Sequence, residues 1–242
     1  LYLGSSFGMT GDETILVKKV IRSFRSHADP KIRDILVIIR PHGANYRNYE
    51  SFHEEGAVVW PKKSEFPALK EERNNFLNEV YHSVATIGVN TTAMVDALIM
   101  DKPSIAIMID QYKESQLLTD HFPDLLKADV LELAEDTDAC AELVSKIMKG
   151  DDTKINARQR FIKEFVRSRG LNRNAGEGAA EAIEMFGSGK SIKEIDKADI
   201  YALFNFESKR NYWTPKIQAL ADITPLEITL EELKFEQQRL II

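Results

Sequence analysis

The amino-acid sequence predicts an α/β protein: a doubly wound, mostly parallel sheet followed by a helical or irregular C-terminal extension. Three observations carry this expectation. Short apolar runs such as Asp34–Ile39, Ala85–Val89 and Ser104–Ile109 alternate with longer stretches of helical period, and the alternation repeats five or six times. The runs are nearly continuous in apolar residues, as parallel strands covered on both faces are. Gly, Pro and Asx residues stand at their ends.

The elements follow in order. Leu1–Leu3 reads as a short strand that enters the small-residue loop Gly4-Ser5-Ser6-Phe7-Gly8. A helix is expected from Asp12 to His27, with Asp12 and Glu13 favouring its positive end and Ile15, Leu16, Val20, Ile21 and Phe24 forming its stripe. Strand, small loop and helix together form the layout that can offer backbone N–H groups to a phosphate. Asp29-Pro30 breaks that helix, and Asp34–Ile39 is the next strand, ending in Arg40-Pro41-His42-Gly43.

In open α/β sheets ligands bind beyond the carboxyl ends of strands. Arg40 there can pair with a phosphate or carboxylate, and His42 can donate to an oxyanion or move a proton. Residues 45–53 read as a surface segment with a helical turn, Ala57–Trp60 as a strand and Lys62–Glu72 as a solvated loop. Asn74–Tyr81 reads as a helix.

Ala85–Pro103 is the most informative stretch. Ala85–Val89 is a buried strand by composition, and Asn90, Thr91 and Thr92 are N-cap residue types. The helix Ala93–Met100 is apolar on every face except at Asp96, which predicts a buried helix carrying one costly carboxylate. Ser104–Ile109 and Val130–Leu133 are further strands, with polar residues Asp110, Gln111, Tyr112 and Glu114 after the former and a helix end at Leu125-Leu126. Helices are expected at Asp136–Lys149, Ile155–Arg167 and Gly176–Phe186. The first domain is thus expected to span 1–186 and the extension 187–242, with a helix-like stretch at Leu230–Leu240.

Length and composition bound the function. The 242 residues accommodate one large domain, or one domain with an extension. The net charge of −6 argues against a general nucleic-acid surface while leaving room for a local basic pocket. Cys140 is the single cysteine, which excludes an internal disulfide and a cysteine metal site and fits a reducing compartment. No apolar run approaches the ~18 residues that a membrane span needs, and no secretory leader is recognisable. The expected location is cytoplasmic, with association to a membrane surface as an alternative. The chain opens at Leu1 inside a strand, from which a longer parent protein with an N-terminal part is expected.

Two apparent motifs are rejected. Gly187-Ser188-Gly189-Lys190-Ser191 lacks the first glycine of a phosphate loop, because Glu184 stands there, and no strand precedes it. Asn90-Thr91-Thr92 matches a glycosylation sequon in a chain without secretory features.

Thr91-Thr92, then Asp96, then Lys102-Pro103 resembles the Ser-Ser-x-x-x-Asp-x-x-x-x-x-Lys-Pro signature of CDP-glycerol glycerophosphotransferases of teichoic-acid synthesis. It also resembles the donor-binding half of capsular-polysaccharide glycosyltransferases. Arg40-Pro41-His42 is similar to the Arg/Lys-x-His-Pro element of these enzymes, with Gly43 in place of their proline. Thr replaces Ser at both hydroxyl positions, and the likeness covers roughly Leu1 to Phe186.

The resemblance implies one Rossmann-like half of a GT-B architecture. It implies that Gly4, Ser5, Ser6, Asn90, Thr91 and Thr92 hold the diphosphate of a nucleotide-activated donor, and that Asp96 accepts bonds from ribose hydroxyls. Arg40 and His42 would stabilise charge on the departing nucleoside phosphate. It implies no metal and no resident cofactor. The partners it implies are the donor, a glycan or lipid-linked acceptor, and an N-terminal domain or second subunit. Two alternatives stand beside it: a non-hydrolysing UDP-sugar 2-epimerase of the same fold, for which only Asp96, Asp110 and Glu114 are evident acids, and a non-catalytic nucleotide-binding or assembly module.

Overall fold

The structure, a computed structural model, describes residues 1–63, 70–119, 121–167 and 170–188. The chain divides into two units, Leu1–Ile162 and Lys163–Ile242, so the expected boundary after Phe186 lies inside the second unit. The expected helix at Leu230–Leu240 and the extension beyond Ser188 lie outside the described residues.

The first unit is an α/β layer structure. Its strands are β1 (Tyr2–Leu3), β2 (Val37–Arg40), β3 (Ala57–Val59), β4 (Thr86–Gly88), β5 (Ser104–Ile107) and β6 (Glu132–Ala134). All pair in parallel, in the order β3-β2-β1-β4-β5-β6. This is the order of a Rossmann-like doubly wound sheet. Its winding direction reverses between β1 and β4, where such folds open a crevice at the carboxyl edge.

The helices of this unit are α1 (Phe7–Thr10), α2 (Thr14–Ser26), α3 (Pro30–Arg33), α4 (Lys70–His82), α5 (Ala93–Ile99), α6 (Asp110–Leu117), α7 (Phe122–Lys127), α8 (Thr137–Met148) and α9 (Ile155–Phe161). The second unit contains α10 (Ala175–Gly187).

The alternation of strand side chains builds the two layers. Tyr2, Ile39, Ile87, Ile105 and Ile107 enter one cluster with Leu16, Val17, Val20, Ile21 and Phe24 of α2 and Cys140, Ala141 and Val144 of α8. Leu3, Met94, Ala97, Leu98 and Ala106 are equally buried outside that cluster. Gly88 is required where β4 meets β1, because a Cβ there would lie 2.8 Å from the Leu3 carbonyl oxygen. Thr86 and Ser104 place a hydroxyl pair, 2.7 Å apart, inside the β4–β5 contact.

The expected strands are present, shortened at their ends: the run Asp34–Ile39 becomes Val37–Arg40, and Ile35 and Leu36 lead into it. Three short helices were not expected as such: α1 interrupts the Gly4–Gly8 loop, α3 follows the Asp29-Pro30 break, and α6 forms in the polar stretch after β5, while α7 carries the helix end expected at Leu125-Leu126. The helix expected over Ile155–Arg167 is α-helical over Ile155–Phe161 and takes the wider π form over Ile162–Val166.

The helical turn expected within residues 45–53 is a 3-10 helix over Gly43–Tyr49, and it is not wholly superficial, since Asn45 and Tyr49 are buried. The expected loop Lys62–Glu72 is helical from Lys70, and residues 64–69 lie outside the described residues.

Among the described residues no helix is long and apolar enough to cross a membrane.

Candidate functional site

A cleft of about 160 Å3 opens at the carboxyl ends of β1, β2 and β4. Gly4, Arg40, His42, Thr91, Thr92 and Asp96 line it, together with Leu3, Pro41, Gly43, Phe76 and Ala93. Six of the nine residues expected to form the site therefore share one concavity at the winding reversal. Ser5, Ser6 and Asn90 do not line it.

The close approach of the first two loops sets the cleft floor. The Gly4 N–H donates to the Arg40 carbonyl at 2.9 Å. A Cβ on Gly4 would lie 3.0 Å from the His42 nitrogen, so a side chain here would force the β1 and β2 loops apart.

Ser5 is fully buried and bonded in three directions. Its N–H donates to the Glu13 carboxylate at 2.8 Å, its carbonyl accepts from Asn45 Nδ2 at 3.4 Å, and its hydroxyl accepts from the Asn90 N–H at 3.2 Å. Asn90 Nδ2 donates to the Thr119 hydroxyl at 3.0 Å, which donates in turn to the Gln116 carbonyl. Gln116 Nε2 donates to the carbonyls of Val89 and Ile107. A buried polar belt thus runs beneath the cleft and ties the loops after β1, β2 and β4 to α6.

This geometry corrects three expectations. The N–H groups of Gly4 and Ser5 are spent inside the protein, so they are not donors for a ligand phosphate. Ser5 and Asn90 fix the loops from below, and Ser6 caps the start of α1 outside the cleft lining. Glu13 stands at the N-cap of α2, the helix end expected for it, and is also the centre of the belt. Fully buried, it accepts from Tyr2 Oη at 2.7 Å and Thr10 Oγ1 at 2.5 Å as well as from Ser5.

The cleft walls have their own chemistry. Arg40 is 7% exposed, and its guanidinium pairs at 2.5 Å with Glu79 of α4 and lies 5.2 Å from the centre of the Phe76 ring. The sequence reading missed Glu79, because only the packing of α4 on β2 brings the two together. Arg40 therefore reaches the cleft as half of an ion pair.

His42 precedes the 3-10 helix, and its Nδ1 accepts from the Ala44 N–H at 3.1 Å. That bond leaves the ring proton on Nε2. Burial lowers the His42 pKa from its ordinary value, with the Glu13 charge opposing, so the ring is neutral at pH 7.

Thr91 and Thr92 stand at the entry to α5. The Thr91 hydroxyl accepts from the Ala93 N–H at 3.4 Å, and Thr92 occupies the N-cap without bonding through its side chain. Asp96 lies on the exposed side of α5. The expected buried carboxylate is thus corrected: α5 buries Met94, Ala97 and Leu98 and turns Asp96 outward along the cleft rim. The surrounding cleft wall still desolvates that carboxyl enough to raise its pKa.

Among the described residues no group of three or more His, Cys, Asp or Glu side chains is arranged to hold a metal ion. The arrangement offers an anion or a polyhydroxylated molecule a neutral imidazole, a guanidinium already balanced by a carboxylate, two hydroxyls and one acidic acceptor. No protein-family model matches the chain, and neither does any curated protein or solved structure.

Proposed function

We propose that the first unit binds a nucleotide-activated sugar or polyol phosphate, as the donor-holding part of a glycosyl- or glycerophosphotransferase that builds surface polysaccharide. The observation that carries this reading is the cleft at the β1/β4 reversal, where Arg40, His42, Thr91, Thr92 and Asp96 meet. In this reading Thr91 and Thr92 contact the diphosphate, and Asp96 accepts hydrogen bonds from ribose hydroxyls. His42 Nε2–H donates to the oxygen that gains charge as the nucleoside phosphate departs, with Arg40 beside it. The acceptor and the base that activates it belong to a second domain or subunit.

One observation favours a second reading, a nucleotide-binding module without transfer activity. Glu79 already balances Arg40, which weakens its pull on a departing phosphate.

Calorimetric titration of the full chain with UDP, CDP and GDP tests the binding claim. One of these should bind and raise the melting temperature. Asp96→Ala should weaken that binding at least tenfold while leaving the unliganded melting temperature within a few degrees, since the side chain is exposed. Failure of all three to bind would overturn both readings. If one binds, transfer of a labelled donor to an acceptor would exclude the module, and interconversion of a UDP-sugar without acceptor would identify an epimerase.

A further inference from the structure

The loop between β1 and α2 has a buried base and a tip that stays outside the core, beside α6. At the base, Ser5 and Glu13 are both fully buried and joined by the 2.8 Å bond between the Ser5 N–H and the Glu13 carboxylate. At the tip, α1 contributes no buried residue. Its backbone hydrogen bonds close on the loop itself: the N–H groups of Met9 and Thr10 donate to the Ser6 carbonyl and that of Gly11 to the Phe7 carbonyl.

Gly11 joins tip to base with φ 64° and ψ −136°, and a Cβ there would meet nothing within 4 Å. Its carbonyl is pinned by Asn45 Nδ2 at 2.8 Å, so freedom to swing lies on its N-terminal side. One side-chain bond from the tip reaches the base, from Thr10 Oγ1 to Glu13 at 2.5 Å.

The tip carries an unburied aromatic ring, Phe7, which is 59% exposed. It starts three residues after Gly4, which lines the cleft. On its other side Met9 and Thr10 face Gln111, Glu114, Ser115 and Leu118 of the α6 region across an open groove of about 310 Å3. The segment therefore has clamped ends, a glycine joint, room beside it and an apolar side chain with no place in the core. Compact loops with joined ends of this kind are frequent carriers of function.

We propose that Ser6–Thr10 is a lid, hinged between Ser5 and Gly11 and latched by the Thr10–Glu13 bond, which brings Phe7 over the ligand held in the cleft. Phe7 is then a binding residue that stacks on a planar or apolar part of the ligand, and Glu13 is a positioning residue that acts through Ser5 and Thr10. This role for Phe7 rests on the nucleotide reading above; the hinge does not.

Amide exchange followed by NMR on the full chain, with UDP, CDP and GDP as probes, tests both parts. Without nucleotide, the Met9, Thr10 and Gly11 amides should exchange at least tenfold faster than Ser5 and Asn90, although all are hydrogen-bonded. Thr10→Val, which removes the latch but keeps the shape, should speed the loop amides further and leave Ser5 unchanged. With the nucleotide that binds, the loop amides should slow, and Phe7→Ala should lose at least tenfold in affinity at an unchanged melting temperature.

Loop amides as protected as Ser5, or no response to Thr10→Val, would overturn the hinge. Nucleotide binding that leaves loop exchange and Phe7→Ala affinity unchanged would overturn the lid. If no nucleotide binds the wild-type chain, the donor reading and the role of Phe7 fall, while the exchange pattern of the unliganded protein still decides the hinge.

Discussion

His42 shows how one residue can serve both the architecture and the cleft. Its Nδ1 caps the first turn of the 3-10 helix through Ala44, which requires a neutral ring, and burial pushes its pKa in the same direction. The unfolded chain therefore binds a proton at higher pH than the native protein does. The stability linked to this group is fully present above about pH 6.5, the ordinary histidine value, and is lost as pH falls through the lower native value. Thermal melts at pH 7.5 and 5.5 should show a larger loss for the wild type than for His42→Gln, and equal losses would contradict this assignment.

Position alone pointed to His42, because a histidine directly after an apolar run lands at a strand's carboxyl end. Glu13 was read for its charge at the start of α2, where it stands, and not for the bonds it accepts there. Its partners Tyr2, Ser5 and Thr10 lie three to eleven residues back, and only the fold of the loop brings them around it. Glu79 lies 39 residues from Arg40, and nothing in either local pattern marks the pairing.

At the scale of elements, α9 illustrates stability held away from the cleft. Arg158, 1% exposed, donates to both oxygens of Asp152 at 2.8 and 2.6 Å and to Asp101 at 3.0 Å. Lys154 pairs with Asp129. Asp101 and Asp129 are the two non-glycine residues with positive φ among the described residues, at 56° and 55°. Each follows a helix, α5 or α7, in the turn toward the next strand, where aspartate tolerates the left-handed backbone better than most residues. α9 thus clamps two helix-to-strand turns on the amino edge of the sheet.

Arg158→Ala should cost about 3 kcal/mol in urea unfolding, the low end for a buried pair because Asp101 and Asp152 are partly open to water and can rehydrate. Nucleotide affinity should stay unchanged, since the clamp lies at the opposite edge from the cleft.

The longer elements were legible because each carries a repeated signal: β-branched runs in β2, β4 and β5, and two or more turns of apolar period in α2 and α8. α1, α3, α6 and α7 span four to eight residues, too few turns for a period to emerge. Their helical state depends on caps and on packing against distant elements. α5 was legible as a helix but misjudged in burial. It has seven residues, and its single carboxylate marks the side left open rather than a charge sealed inside.

For the whole molecule, the parallel order β3-β2-β1-β4-β5-β6 converts scattered sequence signals into one place. Residues from Gly4 to Asp96 meet because parallel strands present all their following loops at one edge, and the reversal at β1/β4 keeps helices from filling the gap. Six of the nine expected residues therefore share the cleft, while Ser5, Ser6 and Asn90 do not line it. What the sequence could not separate is which of them face a ligand and which hold the loops. That division depends on hydrogen bonds between segments tens of residues apart, such as Asn90 to Ser5 and Asn45 to Gly11.

The central claim is that the cleft at this reversal holds a nucleotide diphosphate. Its most direct test is a map of backbone amide shifts as UDP, CDP or GDP is added to the full chain. The account predicts saturable shifts concentrated at Gly4, His42, Gly43 and Thr91–Asp96, with little change at the α9 clamp. Shifts centred elsewhere on the unit, or none with any of the three nucleotides, would contradict it.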